Sequence, residues 1–169
     1  MTLTNDFCIY YDKEIFSPYY KCDIVFPSLE LPLIKCTSVL QAFETCKLLY
    51  FENYDKLFFA TSTKNPINQI QIGHKILNYD RNKWSSAKYD IMYQIELQKY
   101  LQNENLRTEL LSEKYDNIEF VYANPLDNWW GTGLGEYTDM IKNKTEWRGK
   151  NMHGEILKNV RKNIIEYYK

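Results

Sequence analysis

Cysteine and histidine are scarce in this sequence, and neither occurs in a pattern that holds a metal. Cys8, Cys22, Cys36 and Cys46 show no C-x-x-C spacing, and only His74 and His153 are available to join them. No metal site is therefore expected, and the thiols read as reduced or buried in a cytoplasmic protein. No apolar run approaches the length of a bilayer span, and the first residues carry no signal-peptide core, so no membrane partner is expected. The Asn143-Lys-Thr145 sequon is then expected to stay unmodified. A net charge of -1 excludes general electrostatic capture of nucleic acid, although a local basic groove remains compatible with it. Also missing are a Walker loop, a G-x-G-x-x-G turn, H-E-x-x-H and a Ser/His/Asp set. The carboxylates do not cluster, so metal catalysis is unsupported and no cofactor is expected. Internal repeats and low-complexity linkers are absent too, which predicts one domain over residues 1–169.

What the chain does have is apolar and aromatic bulk. At 169 residues and 44% hydrophobic it is long enough for a substantial core, and 16% aromatic content with 15 tyrosines argues against disorder. Phe7 to Tyr11 and Asp23 to Phe26 read as short strands joined by the loop Ile15-Phe-Ser-Pro-Tyr-Tyr20. Pro27 to Pro32 reads as another connection. Thr37-Ser38 predicts an N-cap for a helix running to about Phe51. Asn65-Pro66 opens a second helix ending near Gly73, and the longest candidate runs from Trp84 to about Leu101. Asn105 is placed to cap a short helix carrying Leu106, Leu110 and Leu111. Ile118 to Ala123 reads as a strand, and a last helix from about Glu155 to Tyr168 carries Ile156, Val160 and Ile164. Five or six helices and three or four short strands define an α+β, helix-dominated class.

On the first helix, about 100° per residue puts Val39, Phe43, Cys46 and Tyr50 on the core face. Leu40, Glu44, Lys47 and Phe51 form the neighbouring stripe. Taken alone, Glu44 and Lys47 read first as a solvated i,i+3 salt bridge. Lys88 and Lys99 on the long helix read as solvated or spread along a groove wall.

The densest stretch chemically is Ala123-Asn-Pro-Leu-Asp-Asn-Trp-Trp-Gly-Thr-Gly133. Pro125 removes a backbone donor, while Gly131 and Gly133 let backbone approach a ligand closely. Asp127, Trp129 and Trp130 lie between them, a composition suited to something flat and phosphorylated. The competing reading is a turn with two core tryptophans, in which Asp127 is an Asx-turn acceptor. Of the available chemistries, what remains is a lysine or carboxylate acting in an aromatic pocket. A lysine attacks an aldehyde-like carbon once burial lowers its pKa, and a sugar C1 becomes such a carbon as an N-glycosidic bond opens. A neighbouring carboxylate would move the proton.

The ordered set of motifs resembles the NADAR (YbiA-like) family, from about Tyr10 to Val160. Phe16-Ser17 is similar to its opening "FS" loop, and Cys46-Lys-Leu-Leu-Tyr-Phe51 to its Q-K-A-x-L-F helix end. Pro66 through Gly73-His74 is similar to a "P…GR" segment, with His for Arg. Asn78-Tyr-Asp80, Trp84, Lys88-Tyr-Asp-Ile-Met92, Lys99-Tyr100, Gln102-Asn103 and Leu106 follow a further family pattern in order. Ala123-Asn-Pro-Leu-Asp127 with Trp130-Gly-Thr-Gly-Leu134 resembles "ASPxDxxWGxGL". Trp147, Gly149, Asn151 and Gly154 resemble "W-x-G-x-N-x-x-G".

The resemblance implies a YbiA-like fold that binds ADP-ribose-type ligands and cleaves N-glycosidic bonds. Some members remove ADP-ribose from guanine, including in DNA; others break phosphoribosylated intermediates of riboflavin biosynthesis. The K-x-L-x-F, K-Y-D-I and W-G-x-G-L details lie closer to the first branch. Carried over, Lys47 is the expected nucleophile at ribose C1, with Glu44 as proton shuttle and Asp127 orienting a ribose or a loop amide. Phe16, Ser17, Trp84, Trp130, Gly131, Gly133 and Asn151 are the expected substrate-binding positions; for Trp84 the alternative is packing at a helix start. The expected partners are an ADP-ribose-type ligand and ADP-ribosylated DNA, single-stranded or local. Two family glutamates are replaced, by Leu40 and Tyr122. Glu44, one turn after Leu40, is the carboxylate that would substitute. With both glutamates lost, a nucleotide-binding module without turnover is the alternative from a different class.

Overall fold

The computed structural model describes residues 1–26 and 33–168, so the connection expected from Pro27 to Pro32 lies outside the described residues. In chain order the regular elements are β1 (Thr2–Leu3), β2 (Phe7–Tyr10), β3 (Ile24–Phe26), β4 (Ile34–Cys36), α1 (Val39–Tyr50), α2 (Leu57–Ser62), α3 (Pro66–Gly73), α4 (Arg81–Gln102), α5 (Glu104–Leu110), β5 (Glu119–Tyr122) and α6 (Met152–Tyr168). The class is α+β and helix-dominated, as the periodicities predict. No helix among the described residues is long and apolar enough to cross a membrane. The chain divides into two compact units, Met1–Ser17 with Glu104–Lys169, and Pro18–Asn103.

The first unit is built on a three-stranded sheet ordered β1-β2-β5, in which β2 runs parallel to β5 with Ile9 opposite Val121. Ile9, Val121, Ala123, Leu134 and Ile141 form an apolar core under it. α6 packs on β5 through Ile156, Val160 and Ile164, all fully buried, as their i,i+4 spacing requires. Phe16 is fully buried and sits edge-on to Tyr115 and Phe120, at centroid distances of 5.2 and 5.0 Å.

The second unit holds the antiparallel pair β3–β4 and helices α1 to α4. The two strands predicted around the aromatic loop are therefore not neighbours: β2 pairs with β1 and β5, and β3 pairs with β4. α1 starts where the cap predicts, the Ser38 hydroxyl accepting from the Gln41 amide at 3.1 Å. Asn65 caps α3 with Pro66 in its first turn, and Asp80 caps α4 through the Asn82 and Lys83 amides. Gln41 is a buried cross-tie that the spacing did not flag. Its side-chain amide donates to the Ala60, Thr61 and Thr63 carbonyls while its oxygen accepts from Thr37.

Two expectations are corrected here. Tyr50 is exposed, whereas Leu40, Glu44, Lys47 and Phe51 are buried, so the stripe assigned to the helix edge faces inward. Lys99 is not solvated: it is 0% exposed, 3.4 Å from the equally buried carboxylate of Glu96. An i,i+3 Glu–Lys pair carries no sequence signal that separates a surface bridge from one enclosed by neighbouring elements.

Candidate active site on the first helix

In the second unit, Glu44 and Lys47 project from one side of α1 with their charged ends 4.0 Å apart. The lysine ammonium lies 5.2 Å from the Tyr79 ring centroid and 5.7 Å from that of Trp84, a cation–π arrangement. Trp84 in turn packs on Phe43 and Phe51. Phe43, Phe51 and Trp84 are buried, as is Glu44 itself, and the burial of that carboxyl has an electrostatic consequence. Burial pushes the Glu44 carboxyl up to about 7, against the opposing pull of Lys47. Glu44 Oε2 has no hydrogen-bond partner among the described residues. Near neutral pH the site therefore holds a carboxyl that both gives and takes a proton, beside an amine inside an aromatic wall.

Space for that carboxyl exists because α3 ends in a glycine. A Cβ on Gly73 would collide with the Glu44 carboxylate. The contact is with the end of a flexible side chain, so Gly73→Ala is expected to fold and to swing the carboxylate out of the nook. Stability should stay within about 1 kcal/mol of the parent. Turnover should fall on the order of 100-fold. A release assay paired with a urea melt checks this, and equal turnover in Gly73→Ala would remove Glu44 from the chemistry.

In the first unit, the loop from Ala123 to Gly133 is held by its own polar groups. One oxygen of Asp127 accepts from the Trp129 and Trp130 amides, both at 2.8 Å. Asp127 thus acts as the Asx-turn acceptor that shapes its own loop, the competing reading given for it above. Gly133 has φ +68°, the left-handed region that favours glycine, and a Cβ at Gly131 would press on Asn124. Trp130 is half-buried. The carbonyls of Trp129, Trp130 and Gly131 accept from the Met152, His153 and Asn151 amides, tying the loop to the start of α6.

Asn151 was expected to hold ligand oxygens, and the structure commits its side chain elsewhere. Its oxygen accepts from the Tyr122 amide at 2.9 Å and its amide donates to the Phe120 carbonyl at 2.8 Å. It thereby serves the free edge of β5 as another strand would. Asn151→Ala strands two buried backbone groups and is expected to cost about 2–4 kcal/mol in urea unfolding. A loss below about 1 kcal/mol would mean water replaces the side chain. Phe16 and Ser17 are likewise fully buried, and Phe16 serves as a packing centre.

Tyr122 stacks on Tyr10 at 5.4 Å. The Tyr10 hydroxyl shares a 2.7 Å hydrogen bond with His153 Nδ1, and Tyr122 accepts from the Asn124 amide. The spacing gave no sign of this aromatic–imidazole cluster. All four cysteines are free, and burial pushes the Cys46 thiol up to about 12, which keeps it protonated and inert.

The fold is similar to the solution structure of the protein YbiA of E. coli, with a TM-score of 0.72 over 99% of this chain and 90% of that one, at 19% identity. The chain belongs to the NADAR domain family, whose model matches residues 8–165. It is 31% identical over 134 residues to the protein irg-1 of Caenorhabditis elegans, covering 78% of this chain and 62% of that one. It is also 31% identical over 90 residues to a protein named N-glycosidase R617 of Acanthamoeba polyphaga mimivirus, covering 53% of this chain and 52% of that one. The chain thus spans between half and two thirds of the length of these two relatives.

Proposed function

We propose that this chain is an N-glycosidase that removes ADP-ribose from a modified nucleobase, guanine in DNA, using Lys47 as nucleophile and Glu44 as proton shuttle. The observation that carries the reading is the enclosed pair: a carboxyl raised to about 7, 4.0 Å from an amine, in an aromatic nook. The mimiviral relative's name supports the bond class.

The step begins with Lys47 as a neutral amine, its proton taken by the Glu44 carboxylate. The amine lone pair forms a bond to ribose C1 while the C1–N bond to the base breaks. The leaving nitrogen takes the electron pair and then the proton from Glu44. The C1–O4 bond then breaks, the ring oxygen taking the electron pair and a proton from the lysine nitrogen, which leaves a protonated Schiff base. Water adds to C1, and the C1–N bond to Lys47 breaks to release ADP-ribose as the aldehyde and regenerate the amine. Trp84 and Tyr79 wall the nook. No metal or cofactor enters this scheme, and the cytoplasm, where thiols stay reduced, is the proposed compartment.

Incubating the protein with an oligonucleotide carrying ADP-ribosylated guanine should release free ADP-ribose, read by mass spectrometry. A phosphoribosylated riboflavin-pathway intermediate offered in parallel should be cleaved far more slowly. The replacement of the family glutamates by Leu40 and Tyr122 favours one other reading, a reader that binds ADP-ribose without turnover. Tight binding with no release would establish that reading instead.

A further inference from the structure

The second unit carries an exposed aromatic face that the proposed chemistry does not use. Phe58 and Phe59 on α2 are 73% and 63% exposed, with their rings edge-to-face at 5.8 Å, and Tyr54 one turn earlier is half exposed. Single exposed apolar side chains are ordinary, but a cluster of large rings rimmed by polar groups marks a binding surface. Beside them lies an open groove of about 540 Å³, to which Phe59, Lys56, Asn68, Gln71 and Lys75 contribute. Asp55, Thr63 and Ile72 complete its lining, so its charged groups are Lys56 and Lys75 against Asp55, beside one aromatic ring and two side-chain amides.

The charge balance here also departs from that of the chain. Residues 54–83 contain Lys56, Lys64, Lys75, Arg81 and Lys83 against Asp55 and Asp80, in a protein of net charge -1. Of the two acids, Asp55 bridges to Lys56 at 3.6 Å and Asp80 is occupied capping α4. Of these cations Lys56 and Lys75 line the groove, and Lys64 follows Thr63, which lines it too, so the charge suits a few phosphates and is too small for a long duplex.

A hydrogen-bonded path connects this groove to the Lys47 nook. Lys56 Nζ donates to Asn53 at 3.1 Å, and Asn53 donates to Asn78 at 2.8 Å. The next residue is Tyr79, 46% exposed, whose ring faces the Lys47 ammonium.

We propose that Tyr54, Phe58 and Phe59, with the lysines around the groove, form a docking surface for single-stranded nucleic acid. Unpaired bases stack on the exposed rings, Lys64 and Lys75 meet the phosphates, and Asn68 and Gln71 face base edges. A duplex keeps its bases stacked on each other and offers the rings nothing. The proposal extends the function proposed above by saying where the strand carrying the modified base lies, but its test requires no turnover.

The test is fluorescence anisotropy with a labelled, unmodified thymidylate strand of about ten nucleotides, at about 50 and about 200 mM salt. Saturable binding that weakens with salt is expected. Phe58→Ala with Phe59→Ala should weaken it at least about tenfold. Lys64→Glu with Lys75→Glu should weaken it and flatten the salt dependence. These positions are exposed, and circular dichroism checks that the fold is kept. Hydrolysis of free ADP-ribosylated guanosine should be unchanged in Phe58→Ala/Phe59→Ala, so loss of strand binding and loss of glycosidase activity read out separately. Failure of the parent protein to bind the strand at low salt, or equal binding by the phenylalanine variant, overturns the proposal. So does binding of a duplex of equal length as tightly as the single strand. Binding of phosphatidylserine vesicles through Phe58 and Phe59, with no strand binding, overturns it in favour of a membrane surface.

Discussion

Lys47→Ala is expected to lower ADP-ribose release by more than about 1,000-fold while leaving ligand binding measurable, because it removes the atom that bonds to C1. Lys47→Arg should be as inactive. A guanidinium keeps the charge, but it does not deprotonate and so offers no lone pair. Reduction with borohydride during turnover should trap a ribose adduct on the parent protein, seen as a mass increase on the peptide containing Lys47, and not on either variant. The alanine change also bears on Glu44, whose carboxyl the lysine draws downward. Without that pull the carboxyl should titrate above its present value of about 7. Substantial release by Lys47→Ala, or a trapped adduct on another residue, would move the chemistry away from α1.

Sequence reading succeeded where a local rule decides the outcome. Ser38 and Asn65 stand at helix starts as capping residues, and Ile156, Val160 and Ile164 keep their spacing into the core, whereas the Asp80 cap that starts α4 three residues before Trp84 was not foreseen. It fell short where neighbours decide. α2 is only six residues long and shows its phenylalanines to solvent, so it has no amphipathic period to detect. β4 spans three residues and exists as a partner for β3. α1 is buried on most of its circumference, so choosing one core face by period placed Tyr50 inside and left the Glu44 stripe at the edge.

The same distinction runs through the candidate site. The Glu44–Lys47 spacing was visible, but what encloses the pair comes from other elements. Gly73 leaves room for the carboxyl, while the buried Trp84 and the ring of Tyr79 lie over the ammonium. Without those neighbours the pair is the surface salt bridge that its spacing suggests. Asn151 shows the reverse case. Its place in a glycine-rich motif suggested a ligand contact, while the structure uses it to satisfy the edge of β5.

Glu44→Gln should lose activity and gain stability, with the gain confined to high pH. The folded-state value of about 7 lies above the ordinary carboxyl value of 4.5. A carboxyl raised on folding contributes stability that is fully present below about pH 4.5 and is lost as pH rises through about 7. Above that range the parent protein holds a buried carboxylate at a cost of about 3 kcal/mol, on the scale of 1.36 kcal/mol per pKa unit. Glutamine has nearly the same shape and never ionises. Its variant should therefore match the parent at about pH 4 and exceed it at about pH 9 by up to about 3 kcal/mol in urea unfolding. Every other titrating group is common to the two proteins, so the difference between their stability curves isolates this one carboxyl. Turnover should drop roughly 100-fold or more, because the amide neither takes the lysine proton nor protonates the departing base. Parallel stability curves across this pH range would show that Glu44 ionises freely, and the enclosed acid–base pair would no longer support the proposed mechanism. A rising difference together with lost turnover would mean that one buried carboxyl is both the unstable feature of α1 and the group that moves the proton.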